Sequence, residues 1–310
     1  VQLYLPIAEL PVNMLLILGM GLAIGFISGM FGVGGGFLLT PLLIFIGIPP
    51  SIAVASVSGQ IAASSFSGTI SYWRKKALDP KLASVLLIGS VVGSALGVAA
   101  FSLLRRLGQL DLFIALSYVS LLGGIGLLMV AESSRAIMRS RSGDPPRPPP
   151  QRTRRIASGL PLVMHFPRSR ISISVIPVIA IGLGIGFLGA MMGIGGGFLL
   201  VPALIYMLRV STSVVIGTSS LQTLITMLLT VVFHSLTNAS VDVVLALLLM
   251  IGGVIGAQFG ARTSLAMRGE ELRLLLGIVV LSVGVRFLFD LIIRPSDPFS
   301  NTILEWAVRS

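Results

Sequence analysis

GFISGMFGVGGGFLLTP, Gly25 to Pro41, returns at Gly186 to Pro202 as GFLGAMMGIGGGFLLVP, so the chain uses one design twice. In each copy an apolar run of helix length meets a shorter one at a knot of glycine: Gly32, Gly34, Gly35 and Gly36 in the first, Gly193, Gly195, Gly196 and Gly197 in the second. Glycine disfavours helix interiors and freely takes left-handed conformations, so each knot is read as a helix break.

Composition decides the solvent. Of 310 residues 55% are hydrophobic and 11% charged, with a mean hydropathy of +1.00. Too little polar surface is left to face water, and apolar runs of membrane-crossing length recur from Val12 almost to Ile293. That is far more than a signal peptide or single anchor needs. Runs such as Leu121–Val130 and Val243–Ile251 are apolar on every face, which argues against an alternating-strand barrel. A net charge of +11 would suggest nucleic acid in a soluble protein. Here the cations lie mainly in loops and read as membrane topology, with no nucleic-acid partner. The chain has no cysteine, which excludes disulfides, thiolate metal sites and cysteine nucleophiles.

The fold class expected is an all-α polytopic transmembrane bundle of two repeats, about five apolar segments each. Residues 1–11 read as a proline-containing lead-in on the membrane surface. Residues 12–130 form the first repeat, with segments Val12–Met30, Phe37–Ile48, Ile52–Tyr72, Leu82–Phe101 and Leu112–Val130. Residues 131–171, rich in arginine, serine and proline (RPPPQRTRR at Arg147–Arg155), read as a mobile cytoplasmic linker. Residues 172–293 repeat the pattern as Ile173–Met192, Phe198–Leu208, Val214–His234, Val243–Gly260 and Leu272–Leu291, and 294–310 are a tail. Ser56, Ser58 and Gln60 align with Thr218, Ser220 and Gln222; Gly89, Gly93 and Gly97 with Gly252, Gly256 and Gly260; Asp79 with Asp242.

Orientation follows from the cations. A cytoplasmic linker puts Arg74, Lys75, Lys76 and Lys81 inside, together with Arg209, Arg262, Arg268 and Arg273, if each half crosses five times. The turn from His234 to Ser240 falls outside, at the minor expense of placing Arg105 and Arg106 there too. An odd number of crossings inverts the second copy relative to the first, an architecture that secondary transporters of the inner membrane use for alternating access.

The short helices after the knots begin deep in the membrane with backbone N–H groups lacking intrahelical partners, a setting suited to an anion. Gly34, Gly35, Gly36, Gly195, Gly196 and Gly197 are therefore candidate substrate-binding residues. The segments that follow are the polar ones, and they add Ser56, Ser58, Gln60, Thr218, Ser220 and Gln222. Hydroxyls commonly bond their own helix, whereas an amide in lipid needs a reason; lining the path and bonding between helices are the two on offer. Asp79 and Asp242 read as N-caps, the two glycine series as close-packing faces, and His234 as interfacial. Arg286 is read as snorkelling outward from the last helix. No metal ligand set, cofactor motif or catalytic cluster is visible, and no lysine follows the glycines as a P-loop requires.

With these residues in place, the chain resembles the sulfite exporter TauE/SafE family of membrane transporters for sulfur-containing anions. The resemblance rests on GMFGVGGGFLLTP and AMMGIGGGFLLVP, with VASVSGQ and VIGTSSLQ after them, and covers both halves without linker and tails. The long basic linker departs from it. The resemblance implies transport of sulfite, thiosulfate or organosulfonates such as sulfoacetate, in either direction. The partners expected are a small sulfur anion and the lipid bilayer, with room for a homo-oligomer. A passive anion channel and a membrane subunit of a larger complex are the alternatives; a membrane-embedded enzyme lacks the needed residues.

Overall fold

The computed structural model describes residues 2–31, 34–74, 76–141, 162–169, 171–206, 212–263 and 269–293. The chain is mostly helical, with ten helices among the described residues. A hairpin, β1 (Gln2–Leu5) with β2 (Leu10–Asn13), leads into α1 (Met14–Phe31), α2 (Gly36–Phe45), α3 (Pro50–Arg74), α4 (Pro80–Arg106) and α5 (Leu110–Arg141). A second hairpin, β3 (Val163–Phe166) with β4 (Ile171–Ser174), leads into α6 (Val175–Met192), α7 (Gly197–Tyr206), α8 (Thr212–Asn238), α9 (Val243–Thr263) and α10 (Gly269–Ile293). Both hairpins are antiparallel, with Gln2 opposite Asn13 and Val163 opposite Ser174.

Six helices, α4, α5, α6, α8, α9 and α10, contain segments long and apolar enough to cross a membrane. Large apolar side chains point outward along them: Ile88, Val92 and Leu96 on α4, Leu116, Leu127 and Leu128 on α5, and Leu247, Ile251, Ile255 and Phe259 on α9. Such a surface is stable only against lipid. By contrast the first half of α3 carries Ser56, Ser58 and Gln60, all fully buried, and α3 packs along α8.

Glycine sets the packing. Gly21, Gly25 and Gly29 of α1 face Leu249, Gly253 and Ala257 of α9, while Gly252, Gly256 and Gly260 face Leu18, Leu22 and Phe26 in return. In the same way Gly89, Gly93 and Gly97 of α4 lie on Ile179, Leu183 and Phe187 of α6. A Cβ at most of these positions would overlap the opposing backbone, so backbone approaches backbone, the small-residue packing that replaces the hydrophobic effect inside lipid. The ascending order of contacts makes α1 parallel to α9 and α4 parallel to α6. The equivalent helices of the two halves run antiparallel: Gly68 of α3 faces Ser220 while Gly59 faces Val231, and Gly126 of α5 faces Leu281 while Gly284 faces Gly123.

Three details depart from the sequence expectation. The lead-in is a strand pair with Leu5 and Ala8 buried at its turn. The stretch read as linker begins as a continuation of α5 to Arg141 and ends in the β3–β4 hairpin, whose Phe166 is buried. Local pattern does not announce a four-residue strand, because so short a strand shows little alternation. Arg147–Arg155, Lys75, Arg209, Arg268, Gly32 and the tail lie outside the described residues.

Candidate functional site

Each half breaks where the glycine knots stand. Gly193 takes a left-handed conformation (φ 65°) and ends α6 by returning its N–H to the Gly189 carbonyl. Gly195 (φ 77°), Gly34 (φ 90°) and Gly35 (φ 59°) are also left-handed, and α2 starts at Gly36, α7 at Gly197. The two breaks meet. Phe37 and Phe198, first-turn residues of the two short helices, stack with centroids 4.4 Å and planes 12° apart. The Thr40 hydroxyl donates to the Gly193 carbonyl at 3.2 Å, and a Cβ on Gly36 would overlap that carbonyl and the Ile194 carbonyl. Ile61 of α3 plugs the junction, reaching Gly34, Gly36 and Gly195.

The carbonyls freed at the end of α6 are claimed by side chains from separate helices. Besides Thr40, the Tyr118 hydroxyl donates to Met192 O at 2.6 Å, and His234 Nε2 donates to Ala190 O at 3.0 Å. The ring hydrogen is thereby on Nε2, leaving Nδ1 to accept from Asn238 Nδ2 at 3.1 Å. Both Tyr118 and His234 are fully buried, so the interfacial placement expected for His234 is corrected. Tyr118 is absent from the sequence-based candidates, although a lone tyrosine in an apolar span, with a hydroxyl to satisfy, is a signal by which it could be found.

The other candidate residues are distributed unequally. The Ser58 hydroxyl donates to Val54 O and that of Ser220 to Ile216 O, each within its own helix. Ser56 and Thr218 reach across the halves: Ser56 Oγ accepts from Asp242 N at 3.0 Å and Thr218 Oγ1 from Asp79 N at 3.1 Å. Asp79 and Asp242 cap α4 and α9 through Leu82 N and Leu245 N, and their second oxygens hold the hairpins. Asp79 Oδ2 accepts from Ser169 N and Oγ, and Asp242 Oδ2 from Ile7 N and Ala8 N.

Gln222 sits beside Gly196, with Nε2 donating to Ser90 Oγ at 2.7 Å and to Thr226 Oγ1 at 3.1 Å. Gln60 does not approach Gly35 in the same way; its amide lies against Gly253 of α9, buried, with neither Nε2 nor Oε1 paired among the described residues.

At the ends of α4 and α8 a cavity of about 340 Å³ is lined by Ser102, Arg105, Arg106, Thr237 and Asn238. A neighbouring cavity of about 220 Å³ shares Arg105, whose Nη1 donates to Asn238 O at 2.8 Å. Arg286 is exposed, pairs with Asp290 at 3.4 Å and lies over the Phe45 ring. Among the described residues no three metal-ligating side chains gather.

The family model described as Sulfite exporter TauE/SafE matches residues 17–287. A probable membrane transporter protein, YjnA of Bacillus subtilis (strain 168), is 29% identical over 275 residues, 87% of this chain and 97% of its own length. A probable membrane transporter protein of Xylella fastidiosa (strain 9a5c) is 29% identical over 286 residues, 88% of this chain and 94% of its own. Sulfite exporter TauE/SafE family protein 1 of Arabidopsis thaliana is 42% identical over 60 residues, 19% of this chain and 13% of its own. No solved structure matches significantly. A family match that runs through both glycine breaks and nearly all of the described helices settles the kinship: this multi-pass membrane protein belongs to the sulfite exporter TauE/SafE family of transporters.

Proposed function

We propose that the protein is a secondary transporter of the inner membrane that moves a small sulfur-containing anion, sulfite or an organosulfonate such as sulfoacetate, by alternating access between two inverted repeats. The observation that carries this reading is the meeting of the two equivalent helix breaks, Phe37 stacked on Phe198, deep between helices. Broken helices that present N-termini to one midplane point suit an anion without a fixed cation. The antiparallel runs of α3 against α8 and α5 against α10 support inversion of the halves. So does the exchange of partners, α1 with α9 and α4 with α6, since such crossed pairs let one half rock against the other.

In this reading Gly34–Gly36 and Gly195–Gly197 face the anion with backbone groups, and Gln60, Ser58 and Ser220 line its route. Ser56 and Thr218 join the route to the starts of α9 and α4. The test is uptake of radiolabelled sulfite and of a sulfonate into proteoliposomes holding this chain alone. Saturable uptake stimulated by unlabelled anion on the far side is expected of a carrier. Uptake that neither saturates nor exchanges identifies a channel, and no uptake at all points to a subunit of a larger assembly.

A further inference from the structure

The two interior amides hold equivalent positions in unlike surroundings. Gln222 is held by Ser90, Thr226 and Thr223. At the equivalent places around Gln60 stand Gly253 for Ser90, Ser64 for Thr226 and Ile61 for Thr223. Glycine and isoleucine offer no side-chain polar atom, and the Ser64 hydroxyl donates to Ile61 O at 3.0 Å. Gln60 is thus a fully buried amide whose donor and acceptor are both unpaired among the described residues. A buried polar group in that state destabilises the fold, so its presence at one of two equivalent positions calls for a role.

We propose that Gln60 is the amide that meets the transported anion, that Gln222 is a structural latch, and that Gly253 keeps Gln60 unlatched. The inference rests on the transport reading above. Gly253 is the selecting position because a Cβ there would run into Gln60 Nε2. The backbone itself accepts one: Gly186 lies on the Ser90 backbone as Gly25 lies on that of Gly253, and Ser90 carries its side chain to Gln222.

A primary amide presents N–H donors and a carbonyl acceptor side by side, so a ligand that satisfies it brings both an acceptor and a donor. A fully deprotonated oxyanion has acceptors only, and its oxygens repel Oε1. Of the anions proposed above, the amide selects those that also carry hydrogen, a protonated sulfur oxyanion or a sulfonate with a hydroxyl or ammonium group nearby, over sulfoacetate, which offers acceptors only.

The test uses the purified full chain and two probes that differ in one hydroxyl, 2-hydroxyethanesulfonate and ethanesulfonate, with calorimetry for affinity and a melting curve for each variant. Wild type is expected to bind the hydroxylated probe about tenfold more tightly, the effect of one satisfied buried partner. Gln60→Leu and Gly253→Ser should each lose about tenfold or more of that affinity, together with the preference, while melting no lower than wild type. Gln222→Leu should melt lower and keep affinity within about threefold. Should Gly253→Ser fail to fold, Gln60→Leu decides alone. Affinity retained in Gln60→Leu, or lost in Gln222→Leu alone, overturns the assignment while leaving the transport reading standing. Wild type that binds neither probe nor sulfite removes both.

Discussion

The Tyr118 hydroxyl donates a 2.6 Å hydrogen bond to the Met192 carbonyl, tying α5 of the first half to the last residue of α6 in the second. In lipid no water can take over a carbonyl released at a helix end, so the break at Gly193 stands only while side chains hold it. Tyr118→Phe keeps the ring stacked on Phe287 but strands that carbonyl. It should cost about 1–3 kcal/mol and lower the melting temperature of the purified protein. An unchanged melt would mean that Met192 O has another donor.

The glycine faces make a paired prediction. A Cβ at Gly256 would overlap Leu22 O, whereas at Gly184, also helical, it meets nothing within 4 Å. Gly256→Ala should therefore force α9 away from α1 and destabilise by about 1–3 kcal/mol, as overpacking does. Gly184→Ala should be neutral or stabilise by up to about 1 kcal/mol through helix propensity. Equal melting behaviour of the two variants would contradict the close approach.

Asp79 and Asp242 each combine a helix cap with a docking contact, and the two functions separate by measurement. In Asp242→Ala, hydrogen exchange should speed up at the amides of Ile7, Ala8 and Leu245 while Ser169 stays protected. In Asp79→Ala the pattern should reverse, with Ser169 and Leu82 exposed. The loss of a cap alone is worth about 1 kcal/mol, so exchange confined to the cap amides would show that the hairpins dock by other means.

Arg105 lines both end cavities, and an arginine at a cleft raises the local concentration of an anion. Arg105→Gln should raise the anion concentration for half-maximal uptake by about tenfold at low ionic strength, less at high salt, with the maximal rate kept. A half-saturation that does not move would take these cavities off the route.

Inversion of the halves predicts that cysteines placed at Lys76 and Thr237 label from opposite sides of the membrane, Lys76 from the cytoplasm. This cysteine-free chain gives no background. Both labelled from one side would remove the inverted-repeat reading and the rocking mechanism with it.

What the sequence determined alone was local. Mean hydropathy and run length decided lipid as solvent, glycine at Gly34–Gly36 and Gly195–Gly197 decided where helices break, and Asp79 and Asp242 announced helix starts as N-caps, because each effect acts within a turn or two of its own residue. The spacing of Gly89, Gly93 and Gly97 announced a close-packing face but not which helix lies on it. That needed the tertiary structure, since the partner is α6, in the other half. The same holds for Ser56 and Thr218, whose partners Asp242 and Asp79 stand 186 and 139 residues away, and for His234, whose acceptor is Ala190. Gln60 and Gln222 look alike as sequence; only packing decided that one amide meets Ser90 and the other Gly253, because a buried hydrogen bond depends on what the neighbouring helix presents at that level.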